Sequence, residues 1–494
     1  MVKIFDRDGR NAGPLSATER AALAALFLAA MALRLVPTIL HPSLDHPDEL
    51  FQSLEQAHRL VFGYGEIPWE FHIGARSWLL PGALAGFMWL GDRIADQPAF
   101  YLGAAHAALA ALAATSMLCA FFWGRRWFGF WGGLVAAALP ALWPDAIYFG
   151  ARSLSECVAA PLLVAALYLL DSEVKRPTTG RHCAGGFLLG LATMLRLQLA
   201  PVLALAVVWR LAEDLRRRTA LKTELPFVIG IALALGAAGL LDAVTWRYPF
   251  QSLWLYFNYN AIDGVADSFG TLPWSFYLSG LIAHWRWYFP AMLLLALLGG
   301  WRLKLPLAAA IAIVLIHSLV PHKEYRFIYP AILLILILAG LGLAQIAAWL
   351  GARAAGASRG LALASLGGVA AASAVFAASA EMRPMWNAGN DLIAAASYVH
   401  GLDHVCGIAA DGTYGGYAYF HRDVPFYWLT NAVELADDEP GFNVLMTTQA
   451  PPQGFERLRC FGGVCVARRA GACAPIAPPP IFSTRPNIAG SAKN

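Results

Sequence analysis

The apolar run Ala21–Leu40 is the first of many such runs in this chain, and they decide its fold class before any motif does. A bilayer core about 30 Å thick takes roughly 20 apolar residues in a helix, and backbone polar groups inside it must be satisfied within the segment. Composition agrees: 14% of the 494 residues are charged, against about a quarter in soluble chains. The chain is expected to be an all-α polytopic membrane protein. Its net charge of +4 decides little, because the placement of Lys and Arg sets orientation.

The first run follows a polar stretch carrying Lys3, Arg7, Arg10 and Arg20, and it ends without a small-residue cleavage site. It is expected to remain as a helix with its N-terminus inside, and Arg34 is expected to snorkel outward. His41–Pro98 then forms a long polar outer segment, with one helix over Pro47–Phe62 and a short interfacial helix over Ser77–Leu90. Phe100–Trp123, Phe128–Tyr148 and Glu156–Leu170 alternate across the membrane, with Arg125, Arg126, Lys175, Arg176 and Arg181 marking the inside. Cys183–Arg210 has basic flanks at both ends, Arg196 in its middle and Pro201 soon after. A mid-membrane Arg is expensive and Pro disfavours a helix interior, so two short limbs are expected, meeting on the outer side at Leu195–Gln198. Leu225–Trp246, Trp287–Trp301, Leu305–Val320, Phe327–Leu350 and Leu361–Ala380 complete about eleven crossings, which places the C-terminus outside.

Residues 1–380 thus read as a transmembrane domain, and residues 381–494 as a small extracytoplasmic α/β or α+β module. In the module, Asn390–His400 is expected to be helical; Val405–Ala409, Asn443–Thr448 and Cys460–Val466 are expected as strands. Cys460 and Cys465 flank a hairpin-like FGGV and can pair in an oxidising compartment, with free thiols as the other reading. Cys119, Cys157 and Cys183 are expected to serve packing. The Pro-rich tail from Ala474 is expected to be loosely ordered.

Polar residues beside a bilayer carry the functional signal. All the notable ones fall on the expected outer side: Asp45, Asp48 and Glu49; Glu70 and Arg76; Arg152 and Glu156; Arg196 and Gln198; and the HKEYRF stretch. Each alone reads equally well as a structural pair, and Pro47 with two acids suits an ordinary helix start. Together they suggest an outer-leaflet cavity with carboxylates on one side and cations on another. Asp48 and Gln52 share a helix face with Glu55, an acidic and hydrogen-bonding side. In HKEYRF, Lys323 and Arg326 can each meet a phosphate and His322 can donate a further bond, with Glu324 among them. Such charge in an outer loop breaks the positive-inside trend; an anchor for lipid headgroups is the plainer reading.

HPDELFQ after the first helix, WEFHIGARSWLLP, FGARSLSE, LRLQLAP and HKEYRFIYP occur in that order. Together they resemble the dolichyl- or polyprenyl-phosphate-mannose mannosyltransferases of glycosyltransferase family 22, the GPI- and ALG-type enzymes, over roughly residues 20 to 350. The LRLQLAP limb departs from the Arg-Pro-Thr of many members. The resemblance implies a GT-C fold, a polyprenyl-phosphate sugar donor, a glycan or lipid-linked acceptor and transfer with inversion. Asp48 is then the expected general base, with Glu49 second. His322, Lys323 and Arg326 are the expected donor-phosphate ligands, and Arg76, Arg152, Arg196, Gln52 and Glu324 further substrate contacts.

No cofactor, metal or nucleic-acid partner is expected, although paired carboxylates can hold a metal. A transporter or flippase of a lipid-linked or anionic solute, or a GT-C transferase of another sugar, are the alternatives. Composition leans towards a bacterial inner membrane with the site facing the periplasm; in a eukaryote the same topology would face the ER lumen.

Overall fold

The computed structural model describes residues 14–171, 178–217, 220–353, 358–429 and 439–476. Lys3, Arg7, Arg10, Lys175, Arg176 and most of the tail beyond Ala474 lie outside the described residues. The chain is mainly helical with one small sheet near its C-terminus. Among the described residues, five helices are long and apolar enough to cross a membrane: Ala17–Leu40, Pro98–Leu142, Glu224–Thr245, Tyr325–Arg353 and Ser358–Ala377. The count rises to six if Phe276–Trp285 and Tyr288–Gly300, bent by 112° at their junction, form one span. The expected eleven crossings are not reached on that criterion. Ser155–Leu170 and Lys304–Leu319 are apolar but shorter.

The chain divides into two compact units. The first comprises Met1–Val36, Leu109–Leu240 and Phe269–Pro384; the second comprises Pro37–Ala108, Leu241–Ser268 and Met385–Asn494. The expected boundary at 380/381 marks where composition changes. By contacts, the polar C-terminal segment groups with Pro37–Ala108 and Leu241–Ser268.

In the first unit, Pro98–Leu142 is interrupted at Gly129, whose φ of 71° leaves the helical region. The limbs flanking Gly129 pack on each other: Phe121, Ala114 and Met117 share a core with Ala137, Ala141 and Leu23. Close helix packing rests on glycine, since a Cβ at Gly340 would lie 2.2 Å from the Ala136 carbonyl oxygen and one at Gly342 would lie 2.1 Å from that of Leu295. Small residues let backbones approach where burial against lipid provides no drive. The broken run appears as expected: Thr179–Leu195 and Ala200–Arg217 are separated by Arg196 in extended conformation and a 3-10 turn at Leu197–Leu199.

Arg34 corrects an expectation. It does not snorkel outward; it is buried and donates to the carbonyls of Ala30, Pro140 and Ala141. Pro144 has no N–H to offer the Pro140 carbonyl, so the guanidinium supplies that donor.

In the second unit, the helix expected from Pro47 is present, but it opens as a π-helix over Glu49–Leu54 before continuing as α-helix over Glu55–Phe62. The left-handed Gly63 ends it. The sheet orders as β2-β1-β3-β5-β4, with β1 Ile408–Asp411, β2 Phe426–Leu429, β3 Val444–Thr447, β4 Glu456–Phe461 and β5 Val464–Arg468. β1 runs parallel to β2 and β3; β5 runs antiparallel to β3 and β4. Cys460 pairs with Cys465 across the β4–β5 turn, and Cys406 bonds to Cys473. The single strand expected at Cys460–Val466 is therefore a hairpin.

Candidate functional site

The carboxylate cluster belongs to the second unit. Gln52 stands one turn beyond Asp48, and its amide nitrogen donates to Asp48 Oδ1 at 2.9 Å and to Glu70 Oε1 at 3.0 Å. Arg76 approaches the same Glu70 oxygen at 3.9 Å and lies over the Tyr256 ring. The Trp246 indole fixes the Arg76 carbonyl at 3.1 Å. Burial raises the Glu70 carboxyl above its ordinary range; the nearby Asp48 charge adds to this, while Arg76 and Gln52 oppose it. His46 Nδ1 lies 3.3 Å from Asp48 Oδ2.

The two adjacent acids have different surroundings. The Asp48 side chain is 27% exposed, whereas Glu49 is buried and its Oε1 accepts the Asp45 backbone N–H at 2.9 Å. The helix start thus presents one carboxylate and folds the other into the backbone. Glu55 corrects the expected acidic face. It is fully buried and accepts from the backbone N–H groups of Glu66, Tyr417 and Ala418. Phe51 stacks on Trp428 with 5.8 Å between centroids and tilts against Tyr414 at 6.0 Å.

The basic cluster belongs to the first unit. Glu156 is buried and bridges two arginines, with Arg326 Nη1 at 2.9 Å and Arg196 Nη1 at 3.4 Å. Arg326 Nε also meets Glu324 at 2.6 Å, and His322 Nε2 meets the other Glu324 oxygen at 3.1 Å. Arg196 and Arg326 both lie over the Phe327 ring. Arg152 is buried with its guanidinium 4.0 Å above the Tyr148 ring. Lys323 is buried too, and its ammonium donates to the carbonyls of Leu272, Val320 and Pro321. Asp145 accepts from Tyr325 Oη at 2.8 Å and from the Trp285 indole at 3.1 Å, which fastens the HKEYRF stretch from beneath.

Sequence comparison bears on this arrangement. The profile of the Alg9-like mannosyltransferase family matches residues 25–393. The chain belongs to that family. GPI alpha-1,2-mannosyltransferase 3 of Danio rerio is 28% identical over 334 residues, 64% of this chain and 59% of that protein. Mannosyltransferase APTG1 of Arabidopsis thaliana is 28% identical over 70% of this chain and 62% of its own length. The chain thus spans about three fifths of the length of these relatives. Among solved structures, ArnT from Cupriavidus metallidurans bound to undecaprenyl phosphate superposes with a TM-score of 0.62 at 13% identity, covering 93% of this chain and 99% of that one. At that identity the likeness concerns the fold, which is GT-C.

For this family member, the structure gathers Asp48, Gln52 and Arg76 around Glu70. It gathers Arg196, His322, Glu324 and Arg326 through Glu156. Sequence reasoning passed over Asp145, although an acid within LWPDAIYF was a charge in apolar surroundings. Tyr277 and His317 gave no signal, because an aromatic or a lone His in an apolar run reads as core. Among the described residues, no three His, Cys, Asp or Glu side chains group as a metal site.

Proposed function

We propose that this chain is an inverting glycosyltransferase that moves mannose from a polyprenyl-phosphate donor to a glycan or lipid-linked acceptor. The observation that carries the reading is the asymmetry of the acid pair: Asp48 is reachable and hydrogen-bonded by Gln52, whereas Glu49 is buried on a backbone N–H. A general base must reach the hydroxyl it deprotonates, so Asp48 takes the acceptor proton as that hydroxyl attacks the anomeric carbon. Glu49 sets the helix start. The leaving group is a phosphate diester becoming a monoester, which requires charge stabilisation more than a proton. His322, Lys323 and Arg326 contribute positive potential, and Arg152, Arg196, Arg76, Gln52 and Glu324 complete the substrate contacts. No metal or other cofactor enters this scheme.

Membership in a mannosyltransferase family supports the sugar, and a GT-C relative solved with undecaprenyl phosphate supports the donor class. The topology proposed is eleven crossings, with residues 1–380 as the membrane domain and residues 381–494 outside. Two disulfides in the C-terminal segment support an oxidising compartment, the periplasm for a bacterial chain.

The test is donor use by the full chain in lipid nanodiscs. Polyprenyl-phosphate-mannose, polyprenyl-phosphate-glucose and GDP-mannose are offered with a membrane-lipid and glycan extract as acceptor. Release of polyprenyl phosphate from the mannosyl lipid alone, lowered by about 100-fold or more in Asp48→Asn with donor binding retained, is the expected result. Equal turnover in Asp48→Asn removes Asp48 as the base, and absence of binding to any lipid donor removes the transferase reading.

A further inference from the structure

Arg152, Arg196, Lys323 and Arg326 are buried, and Glu156 and Glu324 make ion pairs in the same cluster. The cations differ in what they have left to donate. The Lys323 ammonium has three carbonyl acceptors for its three protons. Arg326 places Nε and Nη1 on two carboxylates. Arg196 is 6% exposed, and its Nε and Nη2 have no hydrogen-bond partner among the described residues.

Two more buried polar groups near it have unused hydrogen-bonding capacity among the described residues. Tyr277 is fully buried; its hydroxyl oxygen faces the Glu324 backbone N–H, and its own proton has no acceptor among the described residues. His317 is 3% exposed; its Nδ1 faces the Ile313 carbonyl at 2.8 Å, so that nitrogen carries the proton, and Nε2 has no partner among the described residues. The Tyr277 and His317 rings meet edge-on with 6.3 Å between centroids, and the Arg196 charge acts on both side chains. Buried polar groups with unused hydrogen-bonding capacity are uncommon and costly. Here three converge from separate elements: the break at Arg196, the helix Phe276–Trp285 and the helix Lys304–Leu319.

Their chemistry is specific. Arg196 offers a charged fork and Tyr277 a neutral donor, which together suit the oxygens of a phosphate. His317 Nε2 offers a lone pair, which suits a hydroxyl next to that phosphate. We propose that Arg196 and Tyr277 are the direct ligands of the donor phosphate and that His317 accepts from a hydroxyl of the attached sugar. Lys323 fastens its own loop instead of touching the ligand. This assignment rests on the donor class proposed above and moves its phosphate contact away from HKEYRF.

The test measures binding to the full chain in nanodiscs, using undecaprenyl phosphate, undecaprenyl-phosphate-mannose, undecaprenol, phosphatidic acid and inorganic phosphate as probes. Wild type should bind the first two and not the alcohol. Tyr277→Phe removes a hydroxyl whose proton has no acceptor among the described residues. It should leave the melting temperature unchanged or higher while weakening both phosphate lipids about tenfold. Arg196→Gln should weaken both by more. His317→Phe should weaken the mannosyl lipid and spare undecaprenyl phosphate.

If wild type binds neither polyprenyl lipid, the donor class itself is wrong. If wild type binds them and Tyr277→Phe and Arg196→Gln bind equally well, the donor class stands and this subsite is overturned. A lowered melting temperature in Tyr277→Phe with unchanged binding assigns the hydroxyl a structural role and overturns it too. Equal competition by phosphatidic acid makes the site a headgroup anchor, and competition by inorganic phosphate alone makes it a free-anion site; either overturns the assignment.

Discussion

Asp48 and Glu49 are neighbours in sequence with equal charge, and the fold gives them unequal work. Glu49 Oε1 accepts the Asp45 N–H from a buried position, so its removal should act on stability. Glu49→Gln keeps an acceptor oxygen there and should retain more than a tenth of wild-type turnover. Glu49→Ala leaves the half-buried Asp45 N–H without that acceptor and should cost about 1 kcal/mol, read as a lowered melting temperature. Loss of all turnover in Glu49→Gln with an unchanged melting temperature would transfer the base role to Glu49. The acid pair was legible in the sequence as a pair, since charge beside a bilayer stands out. Its division of labour was not, because that depends on where the Asp45 N–H points. Lys323 teaches the same lesson: its charge was visible, but the Leu272 carbonyl that occupies it lies 51 residues away.

At the scale of elements, local signals did well where one segment determines its own shape. Arg196 and Pro201 announced the broken run, and Asn390–His400 is a helix over the expected bounds. The strand Phe426–Leu429 was missed because FYWL is a continuous apolar stretch with no alternation, as befits a strand buried on both faces. The Glu55 contact was equally hidden, since it joins the Pro47–Phe62 helix to the turn Tyr417–Phe420, more than 360 residues on. That contact should depend on pH. Burial raises Glu55 from an ordinary 4.5 to about 7, with its backbone N–H partners opposing, and raises half-buried Glu66 to about 8, with the Glu55 charge adding to it. Both folded values exceed the unfolded value, so the native state binds more protons between them. The associated stability is complete below about pH 4.5, falls as pH rises through 7 to 8, and is flat above that. For Glu55 the loss is on the order of 3 kcal/mol. Hydrogen exchange of the Tyr417–Phe420 amides should therefore quicken between pH 5 and pH 8, after correction for intrinsic rate. In Glu55→Gln this added pH dependence should shrink to the share carried by Glu66; an unchanged dependence would remove Glu55 as its source.

For the whole molecule, the decisive quantity is the parity of membrane crossings. Five helices qualify by length and apolarity and six if the bent pair is one span, so that criterion alone does not fix the side of the C-terminal segment. Two other observations do bear on it. The first is that Arg125 and Arg126 stand just before the break at Gly129, Arg302 and Lys304 sit between two apolar helices, and Arg353 ends another. These positions follow the positive-inside trend if the limbs on either side of Gly129 cross separately. A single 45-residue helix would be about 68 Å long, more than twice a bilayer core, which also favours two crossings. The second is the pair of disulfides, which persist in oxidising compartments. Both agree with the proposed placement of the C-terminal segment outside, and the first with the Arg353 end inside. Gln453 and Ala352 are exposed and lie one on each proposed side. In intact cells, a membrane-impermeant maleimide should label Gln453→Cys and spare Ala352→Cys until the membrane is opened. The reverse pattern would put the disulfide-bearing segment in the cytoplasm and turn the proposed site to the inner face, where a polyprenyl donor facing outward is out of reach.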